Sequence, residues 1–181
     1  GEVPRIAFFG DSTALMAAIA TRDDQRAPDG DVQVMGGWVE MGCGLLPTVA
    51  LEVHDPWWDA SPNHVASCAR WAEAWAGAIE AADPDVSVVM SGRWESVELE
   101  LPGVAGRHRL GDPVVDDHAR DLLTRAVDTL SARGGRAVFV TSPDLRPEWD
   151  GNPPCTCDAE VRRWNELLRE IAAVDPERAS V

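Results

Sequence analysis

Lysine and tyrosine are absent from this sequence. All 16 cations are arginines, and they face 31 aspartates and glutamates, for a formal net charge of −15. No basic run occurs, so the clustered cations that a phosphate backbone needs are missing and nucleic acid is excluded as a partner. Arginine in place of lysine, with abundant alanine and glycine, is a compositional bias of the kind GC-rich coding produces and carries no function. No apolar run approaches the roughly 18 residues of a membrane span. No charged-then-apolar leader stands at Gly1, so a targeting signal is expected outside this chain. Internal repeats, linkers and low-complexity segments are also lacking. What remains is ordinary globular composition, 45% hydrophobic and 26% charged over 181 residues. That length predicts a single domain spanning residues 1–181, able to bury roughly two thirds of its unfolded surface without a metal or a disulfide lattice.

Strand and helix patterns alternate along the chain. Arg5–Phe9 is a short apolar run stopped by Gly10 and reads as a buried strand. Thr13–Ala20 reads as a helix, and Asp31–Met35 alternates as a second strand. Trp38–Asn63 holds several glycines and prolines and reads as a long loop, a length that usually signals function. From about Ser67 to Ala82 the pattern is helical, with Trp71, Trp75 and Ile79 on one face. Asp83-Pro84 ends that helix, and Val86–Met90 is a third strand. After a loop over Ser91–Gly111, Asp112-Pro113 reads as an N-cap with proline in the first turn. This helix runs to about Arg133, with Leu123, Val127 and Leu130 inward and Gly134-Gly135 as its stop. Ala137–Thr141 is a fourth strand, Ser142–Thr156 a proline-rich loop, and Asp158 caps a last helix with Val161, Trp164, Leu168 and Ile171 inward. The order implies an α/β fold of three layers, α/β/α, around a parallel flavodoxin-like sheet. Ligands of such sheets sit beyond the carboxyl ends of the strands. Four loops therefore matter: Gly10–Ser12, Gly36–Leu46, Ser91–Glu95 and Ser142–Cys157.

Gly10-Asp11-Ser12 joins the first strand to the first helix. A serine there stands on a sharp turn at a helix N-terminus, where backbone N–H groups and the helix dipole favour developing negative charge. Those are the needs of a serine nucleophile. The plainer reading makes Ser12 an N-cap and nothing more. In the second loop, Glu40-Met41-Gly42-Cys43-Gly44-Leu45, a glycine can lend its N–H to an oxyanion hole with no side chain in the way. The third loop, Ser91-Gly92-Arg93-Trp94-Glu95, follows the third strand toward the same point.

Phe8-Phe9-Gly10-Asp11-Ser12, Gly42-Cys43-Gly44 and Val88–Glu95 together resemble the first three sequence blocks of the SGNH (GDSL-like) hydrolases. More closely, the chain is similar to the SGNH domains attached to bacterial membrane acyltransferases that O-acylate cell-surface glycans. Cys68-Ala69-Arg70-Trp71 and Val140-Thr141-Ser142-Pro143 fit the same resemblance, which covers nearly the whole chain. It implies a Ser-His-Asp mechanism with Ser12 as nucleophile and the N–H groups of Ser12 and of Gly42 or Gly44 around the oxyanion. Gly92 and Trp94 belong to the third-block loop, and Trp94 stands where the family commonly has an oxyanion-donating asparagine. The family's final Asp-x-x-His block is not found: none of His54, His64, His108 or His118 has Asp three residues before it. The final strand and that block are expected in a natural continuation past Val181.

His118 adjoins Asp116 and Asp117, but it is read as lying in early helix turns opposite the catalytic edge, with the two acids answering the helix dipole. His54 and His64 read as surface loop residues. The cysteines show no zinc-finger spacing, and Cys155-Thr156-Cys157 is too tight for a typical zinc pair. Cys43 and Cys68 lie at a loop and a helix start that can meet, and an oxidising compartment would favour their disulfide. Cys155 and Cys157 pair with each other or with cysteines beyond Val181. Trp57 and Trp58 offer flat rings to a sugar face, although loop packing is the simpler use.

The reading is an extracytoplasmic serine esterase or O-acyltransferase domain acting on short acyl esters of cell-envelope polysaccharide. No cofactor and no metal is required. Its substrates would be an acylated glycan or a small ester, and its partner a membrane acyltransferase module in the same natural chain. The rivals are a free-standing small-ester esterase of the same fold and a non-catalytic module that binds glycan or positions an acyltransferase.

Overall fold

The apolar run at the start of the chain forms the central strand. In the computed structural model, which describes residues 3–24, 32–46, 62–143 and 158–181, β1 (Arg5–Gly10) pairs in parallel with β2 (Gln33–Val39) on one side and β3 (Val86–Met90) on the other. β4 (Arg136–Val140) adds to β3, and β5 (Ala179–Ser180) adds to β4, all parallel, in the order β2-β1-β3-β4-β5. The helices are α1 (Ser12–Asp24), α2 (Pro62–Cys68), α3 (Trp71–Ala82), α4 (Pro113–Leu130) and α5 (Asp158–Val174). α3 packs on α4 and α4 on α5, which gathers these three on one face of the sheet. Right-handed crossovers put α1 on the opposite face, between β1 and β2. The result is the expected three-layer α/β/α arrangement with flavodoxin-like strand order.

The core lies under α3, α4 and α5. Phe9, Val89 and Phe139 point from the sheet into the same cluster as Trp75, Leu123, Trp164 and Leu168, all essentially sealed from solvent. Trp71, Trp75 and Ile79 share the buried face of α3, and Phe9 stacks at a tilt on Trp75 with ring centroids 5.2 Å apart. Burying aromatic rings of this size contributes about 2–3 kcal/mol each by area alone. No helix of the described residues is long and apolar enough to cross a membrane.

Three elements differ from the sequence pattern. β2 continues through Gly36-Gly37 to Val39, because a register shift between Ile6 and Ala7 bulges the strand past Met35. The glycines make this possible: a Cβ on Gly37 (φ +140°) would stand 1.9 Å from the Phe8 carbonyl oxygen. The single helix expected over Ser67–Ala82 is broken at Ala69-Arg70 into α2 and α3. The break lets Cys68 bond to Cys43 while Trp71 and Trp75 turn to the core. Finally, the last strand, expected beyond Val181, is present as β5, with Ala179 opposite Ala137 and Ser180 opposite Val138. Two residues carry no periodicity, so only the pairing reveals them.

Candidate functional site

The turn after β1 is stitched to both neighbouring strands. Gly10 has φ +132°, and a Cβ there would lie 1.9 Å from the Met90 carbonyl oxygen, so only glycine allows the chain to bend this close to β3. The Asp11 N–H donates to Met90 O at 3.3 Å, and the Glu40 N–H donates to Gly10 O at 3.0 Å. The Asp11 side chain is buried, and its Oδ1 accepts the Thr13 N–H at 2.8 Å. Asp11 immediately precedes α1 and bonds its second residue, which is the position and bond of an N-cap. The plainer reading of Ser12 as the cap is therefore replaced: Asp11 performs that task. Ser12 is exposed in the first turn, and its hydroxyl forms no hydrogen bond among the described residues.

Glu95 is the residue on which the surrounding loops converge. It has no solvent exposure, and its two carboxyl oxygens accept the backbone N–H groups of Leu45 and Gly92, the latter at 2.7 Å. One side chain thus ties the loop after β2 to the loop after β3. Burial, with a smaller push from the nearby Asp11 carboxyl, outweighs the pull of the backbone N–H donors and raises its pKa to about 7. Burial likewise lifts Asp11 above the usual aspartate range, against the pull of the Thr13 N–H and the Arg93 charge. Two interacting acids of raised pKa therefore lie at this edge, one of them Asp11 next to Ser12 in the chain, the signature of a tuned site as much as of a structural one.

The expected glycines are where this clamp needs them. Gly44 lies against Glu95, with its missing Cβ only 2.7 Å from Glu95 Oε1, and Gly42 takes a left-handed φ of +76°. Cys43, between them, is bonded to Cys68, as expected. The Trp71 indole N–H donates to Leu45 O at 3.1 Å, so the loop is held to α2 by sulfur and to α3 by a hydrogen bond. Gly92 (φ +134°) packs where a Cβ would meet the Ser142 Cβ at 2.7 Å. Ser142, the start of the fourth loop, is gripped by α5: its N–H donates to Asn165 Oδ1, and the Asn165 amide donates back to Ser142 O, both at 2.8 Å. Trp94 is half-buried, and the Arg93 guanidinium sits 5.8 Å from its ring centroid.

The structure brings Gly44 and Gly92 together around Glu95 and sets Ser12 on the neighbouring turn after β1, but, among the described residues, bonds no histidine to Ser12. His64 Nε2 lies 3.6 Å from Cys68 Sγ, and His108 contacts Ala105 O and Asp112. His64, Cys43 and Cys68 place three potential metal-ligand atoms within 4.8 Å of one another, but the two sulfurs are spent on each other. His118 corrects the expectation for it. α4 runs back from the end of β3 to the start of β4, so its first turns lie on the carboxyl side, not opposite it. Asp116 does not serve the helix dipole alone: it accepts the Gly111 N–H and pairs with Arg163 of α5 at 2.7 Å. Asp117 pairs with Arg120. His54, Trp57, Trp58, Cys155 and Cys157 lie outside the described residues.

Sequence reasoning missed Asp11 as the cap and Glu95 as the clamp. The first had a signal, since Asp immediately before Ser-Thr and an apolar helix is a capping pattern. The second had none, because a glutamate buried between two loops looks in sequence like any loop acid. Comparison with protein-family models and with curated proteins finds no match for the chain.

Proposed function

We propose that this domain performs serine-based ester chemistry, transferring or hydrolysing a short acyl group on a cell-envelope polysaccharide outside the cytoplasm. The observation that carries the reading is the division of labour at the first turn: Asp11 caps α1 and leaves the exposed Ser12 hydroxyl unspent at a helix N-terminus. Ser12 Oγ would attack the ester carbonyl carbon and pass its proton to a general base. The leaving alkoxide would take that proton, and water or a glycan hydroxyl would then resolve the acyl-serine. Backbone N–H groups of the first turn of α1 and of the Gly42–Gly44 loop would receive the oxyanion. The reading takes its general base from outside the described residues. The resemblance to SGNH domains of membrane acyltransferases supports it, and the Cys43–Cys68 disulfide fits an oxidising compartment.

Because no described histidine bonds Ser12, a second reading stands beside the first: a non-catalytic module of the same fold that binds glycan. A fluorophosphonate probe separates the two. Under the first reading it labels the peptide carrying Ser12 in the natural full-length protein, and the label is lost in Ser12→Ala. An unlabelled serine in folded full-length protein selects the binding module.

A further inference from the structure

A groove of about 470 Å³ opens where the end of β2 meets α2 and α3, lined by Trp38, Glu40, Ser67, Arg70, Glu73 and Ala74. We infer that this groove is a saccharide subsite, which on the ester-chemistry reading holds the glycan whose hydroxyl gains or loses the acyl group.

Four observations carry it. The first is placement. Trp38 pairs with Phe9 in the sheet register, and the Glu40 N–H bonds Gly10 O, so the groove wall is continuous with the turn that presents Ser12. Its volume lies in the range of small-ligand sites, roughly 300–1,000 Å³. The third is chemistry. A half-buried tryptophan offers an apolar face, and Glu40, Arg70 and Glu73 surround it with acceptors and a planar donor fork. An apolar ring face rimmed by hydroxyls is the ligand that needs both at once. Among the described residues, the Arg70 and Glu73 side chains form no ion pair or hydrogen bond, so both are unspent. Glu40 and Glu73 outnumber Arg70, which argues for a neutral sugar over an acidic one. The last is rigidity. Ser67 Oγ donates to Glu40 at 3.0 Å, and the Cys43–Cys68 disulfide closes the same corner, so the groove is preformed.

The test is an NMR titration of the folded chain with three neutral saccharides, maltotriose, mannotriose and N,N′,N″-triacetylchitotriose, following the Trp38 indole resonance. At least one saccharide should give a saturable shift at Trp38. Arg70→Ala and Glu73→Gln, both at exposed positions, should each weaken that binding about tenfold, the loss of one charge-assisted hydrogen bond. Trp38→Ala should abolish it, but Trp38 also packs against the core, so the two exposed variants decide. No shift with any of the three sugars, or a shift that neither exposed variant weakens, overturns the inference. Fluorophosphonate labelling of Ser12 on the full-length protein keeps the two proposals apart. A labelled serine without sugar binding removes the groove and leaves ester chemistry standing. Sugar binding without labelling keeps the groove and removes the esterase.

Discussion

The two ends of the sheet use the same chemical groups in opposite ways. At the carboxyl ends of the strands, Asp11 and Glu95 are buried, bonded to backbone N–H groups, and hold their protons more tightly than free acids do. At the amino ends, Asp83 and Asp85 stand in solvent between Arg5 and Arg133, and those partners lower both pKa values. Desolvation wins at one end and hydrogen-bonded charge at the other. The difference teaches where the fold stores electrostatic cost. The amino end is a solvated staple that joins the start of β1 to the α3–β3 turn. The carboxyl end carries a desolvation cost in exchange for tying the loops after β2 and β3 together, and the exposed Ser12 follows Asp11 there.

The widest separation between the ends should come from chemistry. Ser12→Ala in the natural full-length protein is expected to cut turnover of a nitrophenyl acetate reporter by several orders of magnitude while the melting temperature stays put. Asp83→Asn, at the other end, should leave turnover at the parent level. Equal turnover in the two variants would remove the functional contrast.

The next effect is the pH dependence of stability. Glu95 has its pKa raised on folding, so its contribution is fully present below about pH 4.5 and is lost as pH rises to about 7. That loss should amount to roughly 3 kcal/mol, levelling off above neutrality. Asp83 and Asp85 have lowered pKa values and act with the opposite sign: their contribution is present above the ordinary aspartate range and fades as acid protonates them. Denaturant unfolding across this window, on the parent and on Glu95→Gln, reads the first slope. A slope unchanged by the substitution would assign it to another group.

Glu95→Gln itself should cost about 1–3 kcal/mol near pH 5, because one of the two backbone donors would then face an amide N–H instead of an acceptor. The smallest effect belongs to Asp85→Asn. Its bonds to Arg5 lie in solvent, and such pairs contribute little. Its melting temperature should stay within error of the parent at high salt. If Asp85→Asn proves more costly than Glu95→Gln, the amino end is the structural keystone and the contrast drawn above is reversed.

Much of the scaffold was legible because its signals are periodic. Phe8-Phe9, Val86–Met90 and Ala137–Val140 are short, largely apolar stretches flanked by glycine or proline, which fits inner strands, and the four-residue spacing of Trp71, Trp75 and Ile79 fits one buried helix face. Gly10 before Ser12 was readable as a turn, because no other residue bends so sharply. The bulge through Gly36-Gly37, the break at Ala69-Arg70 and the two-residue β5 were not readable. Each depends on a partner far along the chain: Phe8 against Gly37, Cys43 against Cys68, and β4 against β5.

The sequence by itself determined the alternation of strands and helices, the parallel sheet that follows from it, and the placing of Ser12, Gly42, Gly44 and Gly92 at the carboxyl ends of three strands. These follow from local period and turn chemistry, which act over a few residues. Only the tertiary structure decided what the polar residues there do. It made Asp11 the helix cap, freed the Ser12 hydroxyl, and buried Glu95 between the Leu45 and Gly92 N–H groups. It also set Trp38, Arg70 and Glu73 around one groove. The reason is that burial and hydrogen-bond partnership arise when segments distant in the chain close on one another, and no spacing along a single segment encodes that meeting.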